Sequence, residues 1–217
     1  MEWRLFAQVP EDELRRVLAI ARRRTFERGE VVFHRGDPAD SLHLISKGRF
    51  ATRITTPLAD TATLGVFGPG EAFGELALVS EGAVRSATVS ALEPAETHSV
   101  YRTDFARLLV EHPGVKEVLI GLLAEQVRRS SERLIEALYV PAEQRVLRRL
   151  TEMAEQYGGS SGDTVIPLTQ EDIAGLAGTS RETVNRILGE EARRGTVELR
   201  RGKTVVLSLD ELARRAR

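Results

Sequence analysis

The sequence predicts an α+β chain: an N-terminal β-roll of the jelly-roll kind, one long helix, and a helix-turn-helix followed by a short basic hairpin. Three observations carry this. Short apolar segments separated by Gly, Pro and Asp recur between Thr25 and Tyr101. A heptad stripe then runs along residues 115–139, and two capped helices meet at Gly178-Thr179.

The β region fills the largest stretch of the chain. Val31-Phe33, Leu42-Ile45, Phe50-Thr55, Ala62-Phe67, Ala87-Ala91 and Thr97-Tyr101 are strand candidates. Arg28-Gly29, Arg35-Gly36-Asp37-Pro38, Lys47-Gly48 and Gly68-Pro69-Gly70 punctuate them. Strands at that interval suit an all-β barrel or roll. Before it, Leu14, Val17, Leu18 and Ala21 fall at helical spacing and predict a helix over 11–24. After it, Thr103 is placed to cap a short helix through Val110.

On the long helix, Ile120, Leu123, Val127, Ser130, Leu134 and Ala137 are spaced 3, 4, 3, 4 and 3. That is the seam of a two-stranded coiled coil, so residues 115–139 predict a homodimer. Ser130 is the one polar seam residue, with Ser131 beside it. Such a serine either sets register or meets a ligand at the dimer axis. Pro141 ends the helix and divides the chain into 1–113, 114–140 and 141–217. A helix then covers Ala142 to Tyr157. Thr169 and Asp172 form a capping box for a helix to Ala177, and Ser180 caps the next helix to about Arg194. Val197-Leu199 and Thr204-Leu207 flank Arg200-Arg201-Gly202-Lys203 as a hairpin.

Composition excludes several classes. The chain has 217 residues, enough for more than one domain, and no cysteine, which removes disulfides, iron–sulfur clusters and thiolate-bound metals. No basic-then-apolar leader and no run of membrane-spanning length appears, so a cytoplasmic protein with no membrane partner is expected. The net charge of −1 does not announce a nucleic-acid binder; the local cluster Arg193, Arg194, Arg200, Arg201 and Lys203 says more. His34, His43, His98 and His112 lie at least nine positions apart, without the clustering a metalloenzyme of the cupin kind needs. No catalytic residue and no metal site is assigned.

Two motifs carry chemistry. Phe73-Gly74-Glu75-Leu76-Ala77-Leu78 precedes Arg85-Ser86-Ala87-Thr88. Gly74 allows close backbone approach. Arg85 offers a planar donor fork to phosphate oxygens and Ser86 adds a hydroxyl and an N–H. Ionised Glu75 only accepts hydrogen bonds, which suits a sugar hydroxyl. Together they fit a small ligand with both a phosphate and a sugar. The second motif is Gly178-Thr179-Ser180-Arg181-Glu182-Thr183-Val184-Asn185-Arg186-Ile187-Leu188. Here Ala174 is small at the helix crossing, while Val184 and Ile187 face inward. Arg181, Glu182, Asn185 and Arg186 project toward a major groove. Arginine bonds guanine bidentately and glutamate accepts from cytosine. Arg200 and Lys203 stand on a wing against the phosphates.

These two motifs, in this order around the long helix, resemble the cyclic-AMP receptor protein (CRP/FNR) family of bacterial regulators over nearly the full chain. The resemblance implies a cyclic-nucleotide-binding roll in which Gly74 and Glu75 hold the ribose side, Arg85 and Ser86 grip the cyclic phosphate, and Leu76 is a further ligand-binding residue. It places Ser130 where cyclic-AMP responders usually carry a threonine touching the adenine amino group, and Ser131 where the other subunit donates a serine. Ser130 keeps the hydroxyl without the methyl. It assigns Thr169, Ser180, Arg181, Glu182, Thr183, Asn185, Arg186, Arg200 and Lys203 to DNA, with Arg181, Glu182 and Arg186 reading a TGTGA-like half-site of a palindromic operator. It further implies RNA polymerase as a partner and cyclic AMP (cAMP) as effector, with no resident cofactor. Thr56-Pro57-Leu58-Ala59-Asp60 departs from the family's frequent Asp-Gly hairpin, and the missing cysteines exclude oxygen sensing of the FNR kind. A regulator that binds DNA without an effector is the alternative; an arginine and a carboxylate left unpaired in a closed pocket would argue against it.

Overall fold

Alternation along Ser41–Lys47 shows how the N-terminal region is built. Leu42 and Leu44 face one side of this strand and His43 and Ile45 the other, and all four are buried. A strand buried on both faces sits inside a layered structure. The computed structural model describes residue 15 and residues 18–55, 61–79, 82–158 and 163–216. Two four-stranded sheets form from β1 (Arg22–Phe26), β2 (Val31–Phe33), β3 (Ser41–Lys47), β4 (Phe50–Thr55), β5 (Thr61–Phe67), β6 (Ala72–Phe73), β7 (Thr88–Ala91) and β8 (Ala95–Tyr101). Their orders are β1-β8-β3-β6 and β2-β7-β4-β5.

Phe26, Ile45, Phe50, Phe73, Val89, Ala91 and Ala95 come from both sheets and share one apolar core. On the outer face of β3, Leu42, Leu44 and Val100 pack with Leu78 of α1 (Leu76–Val79) and with Phe105 and Leu108 of α2 (Arg102–Glu111). Leu123 of the long helix α3 (Gly114–Tyr139) joins that cluster.

The later elements are α4 (Ala142–Gln156), β9 (Thr164–Ile166), α5 (Gln170–Ala177), α6 (Arg181–Arg193), β10 (Val197–Arg200), β11 (Lys203–Val206) and α7 (Leu209–Arg215). A third sheet, three-stranded and ordered β10-β11-β9, belongs to the C-terminal fold. By contacts the chain gathers into two compact units. One holds the described residues up to Thr52 with Val66–Ser130; the other holds Arg53–Gly65 with Ser131 onward.

Several expected boundaries move. Of the helix expected over 11–24, residues 15 and 18–20 are helical, residues 11–14, 16 and 17 lie outside the described residues, and the last three, Arg22, Arg23 and Arg24, are strand. They pair with Ser99, His98 and Thr97, a gain available only from a distant partner. Thr103 is not a cap. Strand β8 runs straight into α2 with Tyr101 at the N-cap, and the Arg102 N–H is met by the Asp40 carbonyl at 2.8 Å. Leu207 lies beyond β11, and β6, β9 and α7 had no separate signal. The loop 56–60 and the glycine-serine stretch 159–162 lie outside the described residues.

Candidate functional site

Arg85 is the most constrained polar side chain of the roll. It is 5% exposed, carried on the segment before β7. That segment is zipped to the loop before β3: Gly36 N–H donates to the Arg85 carbonyl, Arg85 N–H to the Asp37 carbonyl, and Ala39 N–H to the Ala83 carbonyl, at 2.8–2.9 Å. The guanidinium carbon stands over Phe33, 3.9 Å from the ring centre, a cation–π contact sheltered from water. It also lies on Gly74. A Cβ there would stand 2.7 Å from Arg85 Nη1 and 2.9 Å from the Ser41 carbonyl, and Gly74 has φ +85°. Only glycine fits, on both counts.

Arg85 Nη1 donates to the Ser41 carbonyl (2.7 Å), and Nη2 to Ser41 Oγ (3.0 Å) and Asp40 Oδ1 (3.2 Å). Nε has no partner among the described residues although it is buried. Burial pulls the guanidinium below its ordinary value while Asp40, Asp37 and Glu75 work against that shift. An arginine stays charged throughout. The expectation of an unpaired arginine therefore needs correction: Asp40 and Ser41 already hold two of its three nitrogens. The Glu75 carboxylate, by contrast, makes no hydrogen bond among the described residues, and the residue is half-buried next to this cation.

Behind the arginine stands His43, which sequence reasoning did not single out as a site residue. It stacks on Phe73 (5.0 Å, 7°), meets Thr97 Oγ1 through Nδ1 (3.1 Å), and lies 3.5 Å from Ser41 Oγ. Burial, then the charge of Arg85, push its imidazole down to about 3, so the ring is neutral. The remaining candidates spread out. Ser86 and Leu76 are exposed on the rim, and Ser130 and Ser131 are exposed on α3.

The second candidate site lies on α5 and α6. Thr169 and Asp172 make a complete capping box. Burial works to raise the Asp172 carboxyl, but the Arg53 guanidinium and Thr169 outweigh it and hold it below the usual carboxylate range. Gly178 ends α5 in the left-handed conformation (φ 60°, ψ 46°), and Thr179 N–H returns to the Ala174 carbonyl. Ser180 then caps α6, accepting from Thr183 N–H at 3.2 Å. Ala174, Val184 and Ile187 are buried as expected. Arg145 of α4 binds the turn from behind, donating to the carbonyls of Ala177 (2.8 Å), Gly178 (2.9 Å) and Val140 (2.8 Å).

This leaves Arg181, Glu182, Asn185 and Arg186 exposed on the outer face of α6. They are not equally available. Arg186 pairs with Glu190 (2.8 Å) and Asn185 accepts from Gln170 (3.4 Å). The Arg181 guanidinium has neither a hydrogen bond nor an ion pair among the described residues. A hydrogen bond from its own backbone N–H, then one from Ser180, holds the Glu182 carboxyl below the usual range. On the hairpin, Arg200 is clasped by Glu198 at 2.7 and 2.8 Å, whereas Lys203 extends from the other side of the Arg201-Gly202 turn.

Comparison with known proteins separates the two sites by family. Residues 23–112 match the cyclic nucleotide-binding domain and residues 144–215 the Crp-like helix-turn-helix domain. The chain is 34% identical over 196 residues to the CRP-like cAMP-activated global transcriptional regulator of Mycobacterium tuberculosis, covering 88% of this chain and 87% of that one. The chain belongs to the CRP/FNR family. The cyclic AMP receptor protein of Thermus thermophilus is 33% identical over 212 residues, 96% of each chain. Among solved structures, the c-di-GMP responsive regulator CLP of Xanthomonas campestris superposes with a TM-score of 0.77 over 92% of this chain and all of that one, at 22% identity, a likeness of fold. This CRP-family transcriptional regulator thus joins a cyclic nucleotide-binding domain to a DNA-binding one. Among the described residues no group of acidic or histidine side chains could hold a metal, and no helix is long and apolar enough to cross a membrane.

Proposed function

We propose that the protein is a homodimeric regulator whose operator binding is controlled by a cyclic nucleotide, cAMP, seated on Gly74, Glu75, Arg85 and Ser86. The carrying observation is the buried Arg85 Nε, a desolvated cationic donor with no acceptor among the described residues. A buried charge-bearing donor left unmet is costly, and a phosphate oxygen would satisfy it. Glu75 supplies the complementary acceptor for a ribose hydroxyl. The Mycobacterium and Thermus relatives, both named for cAMP, support that choice of nucleotide.

Dimerisation rests on α3. Ile120, Val127 and Leu134 are 49–66% exposed in the single chain, an apolar stripe at heptad spacing that a second α3 would cover. In that dimer Ser130 and Ser131 become seam residues beside the nucleotide base. The effector then biases one arrangement of the paired helices and so the spacing of the two α6 helices, which two half-sites one turn apart must match. Arg181, Glu182 and Arg186 read bases; Thr169, Ser180, Thr183, Asn185, Arg200 and Lys203 hold the flanking DNA, on a TGTGA-like half-site. RNA polymerase is the partner such a regulator addresses.

The Asp40 and Ser41 contacts to Arg85 favour one second reading, a regulator whose pocket is self-satisfied and which binds DNA unaided. Calorimetric titration with cAMP and cyclic GMP decides between them. Saturable binding of one nucleotide per protomer supports effector control; heat of dilution alone, for both, supports the second reading.

A further inference from the structure

Asp40 occupies an unusual place for an acidic residue at an anion site. Its carboxylate touches the very guanidinium that the proposed effector would use, with Oδ1 3.2 Å from Arg85 Nη2. The same oxygen accepts from Ser41 Oγ at 2.8 Å. The two partners differ sharply in burial: the Arg85 side chain is 4% exposed, the Asp40 side chain 64%. Arginine is fixed by Phe33, Gly74 and Ser41, whereas the carboxylate approaches from the solvent side. The Asp40 backbone is held there. Ala39 beside it is bonded to Ala83, and its own carbonyl accepts from Arg102 N–H. The side chain can therefore rotate into water, but its charge cannot leave the mouth of the site.

We propose that Asp40 is an affinity-setting residue of this pocket: a built-in counter-ion that occupies Arg85 in the empty protein and must be displaced by the anionic group of the effector. The proposal rests on the reading of the roll as a cyclic-nucleotide site. Three consequences follow. The empty site is stable without ligand, because the cation is neutralised locally. An entering phosphate loses part of its attraction to Arg85 to a carboxylate of like charge. Since that carboxylate is solvated, the loss is of the size of one unit-charge interaction in water, about fivefold in affinity at 4 Å, and it is screened by salt.

The test uses the full-length protein and three forms: wild type, Asp40→Asn and Asp40→Glu. Asparagine keeps an acceptor for Arg85 and Ser41 while removing the charge; glutamate keeps the charge. Calorimetry with cAMP and with cyclic GMP at low salt is expected to show Asp40→Asn binding about fivefold tighter, by the same factor for both because the phosphate is shared. Asp40→Glu is expected to stay near wild type, and the gap should close toward 1 M salt, where screening acts within about 3 Å. Equal or weaker binding by a folded Asp40→Asn protein, with the wild type still binding, overturns the proposal and leaves the cyclic-nucleotide site standing. A gap indifferent to salt overturns it as well. If no form binds either nucleotide, the underlying reading of the site fails, and this inference with it.

Discussion

Two arginines, Arg85 and Arg181, divide the molecule between two ways of meeting phosphate-bearing ligands. Arg85 is buried, laid on an aromatic ring and a glycine, and two of its nitrogens are already bonded. Arg181 is exposed at the first turn of α6, its guanidinium without a hydrogen bond or ion pair among the described residues. The difference follows from what each would bind. A small effector offers few atoms, so its site must be desolvated and preorganised to bind tightly. A duplex offers a long charged surface, so solvated cations on a rigid helix suffice, and their long side chains settle against base edges on contact. The same residue type is thus a fixed part of the fold in one region and a free probe in the other.

The contrast predicts effects of different kind and size. The largest is at the buried arginine. Arg85→Leu removes several charge-assisted hydrogen bonds at once, each worth about 1.5–3 kcal/mol, so calorimetry should show cyclic-nucleotide affinity lost by more than about 100-fold with the dimer intact by light scattering. Unchanged affinity would remove the phosphate role.

Next comes Arg53, whose Nε and Nη2 donate to Asp172 Oδ1 at 3.0 and 2.6 Å while Thr63 adds a hydroxyl. Asp172 is buried and also caps α5. Arg53→Ala strands that carboxylate, and denaturant unfolding should show a loss of about 2–3 kcal/mol; Asp172→Asn in the same background should recover part of it. The exposed arginine should behave differently. Arg181→Ala is expected to leave stability unchanged and to cost about 1–3 kcal/mol on a specific duplex by fluorescence anisotropy. An equal loss on random duplex would make it a phosphate contact.

The last effect concerns acid stability and shows only as pH falls. The folded pKa of His43, about 3, lies below the ordinary 6.5. As pH falls below 6.5 the unfolded chain takes up a proton that the folded one refuses. The stability tied to the neutral ring is therefore complete above that value and declines toward pH 3, at up to about 1.4 kcal/mol per pH unit. His43→Phe keeps a ring on Phe73 and removes the titration. Its Tm should fall less steeply than that of the wild type between about pH 6.5 and 4.5, and parallel curves would place the acid transition elsewhere.

What was legible in the sequence follows the range of the interactions. The capping box at Thr169 and Asp172, the Ser180 cap and the Gly178 turn are complete within four residues, and each stands where the pattern places it. Strands β2 to β5, β7 and β8 also match, because short apolar runs between turn residues mark each of them. Strand β1 was hidden because Arg22, Arg23 and Arg24 are exposed and read equally as the basic end of a helix. In the pocket, the glycine, carboxylate and arginine announce themselves by type. Asp40 and His43 do not, since what makes them matter is the pairing of β3 with β6 and β8 and the zip between residues 36–39 and 83–85. Arg145 was invisible for the same reason. Its acceptors are backbone carbonyls, which carry no sequence signature.

The central claim is that occupancy of the roll changes how the α6 helices engage DNA, and one measurement tests it directly: anisotropy titration of a palindromic duplex of TGTGA-like half-sites with the full-length protein, with and without saturating cAMP. The account predicts a shift of about 5- to 150-fold in duplex affinity, the range of a coupling of about 1–3 kcal/mol. Superimposable curves, from a protein that calorimetry shows to be loaded with the nucleotide, would contradict it.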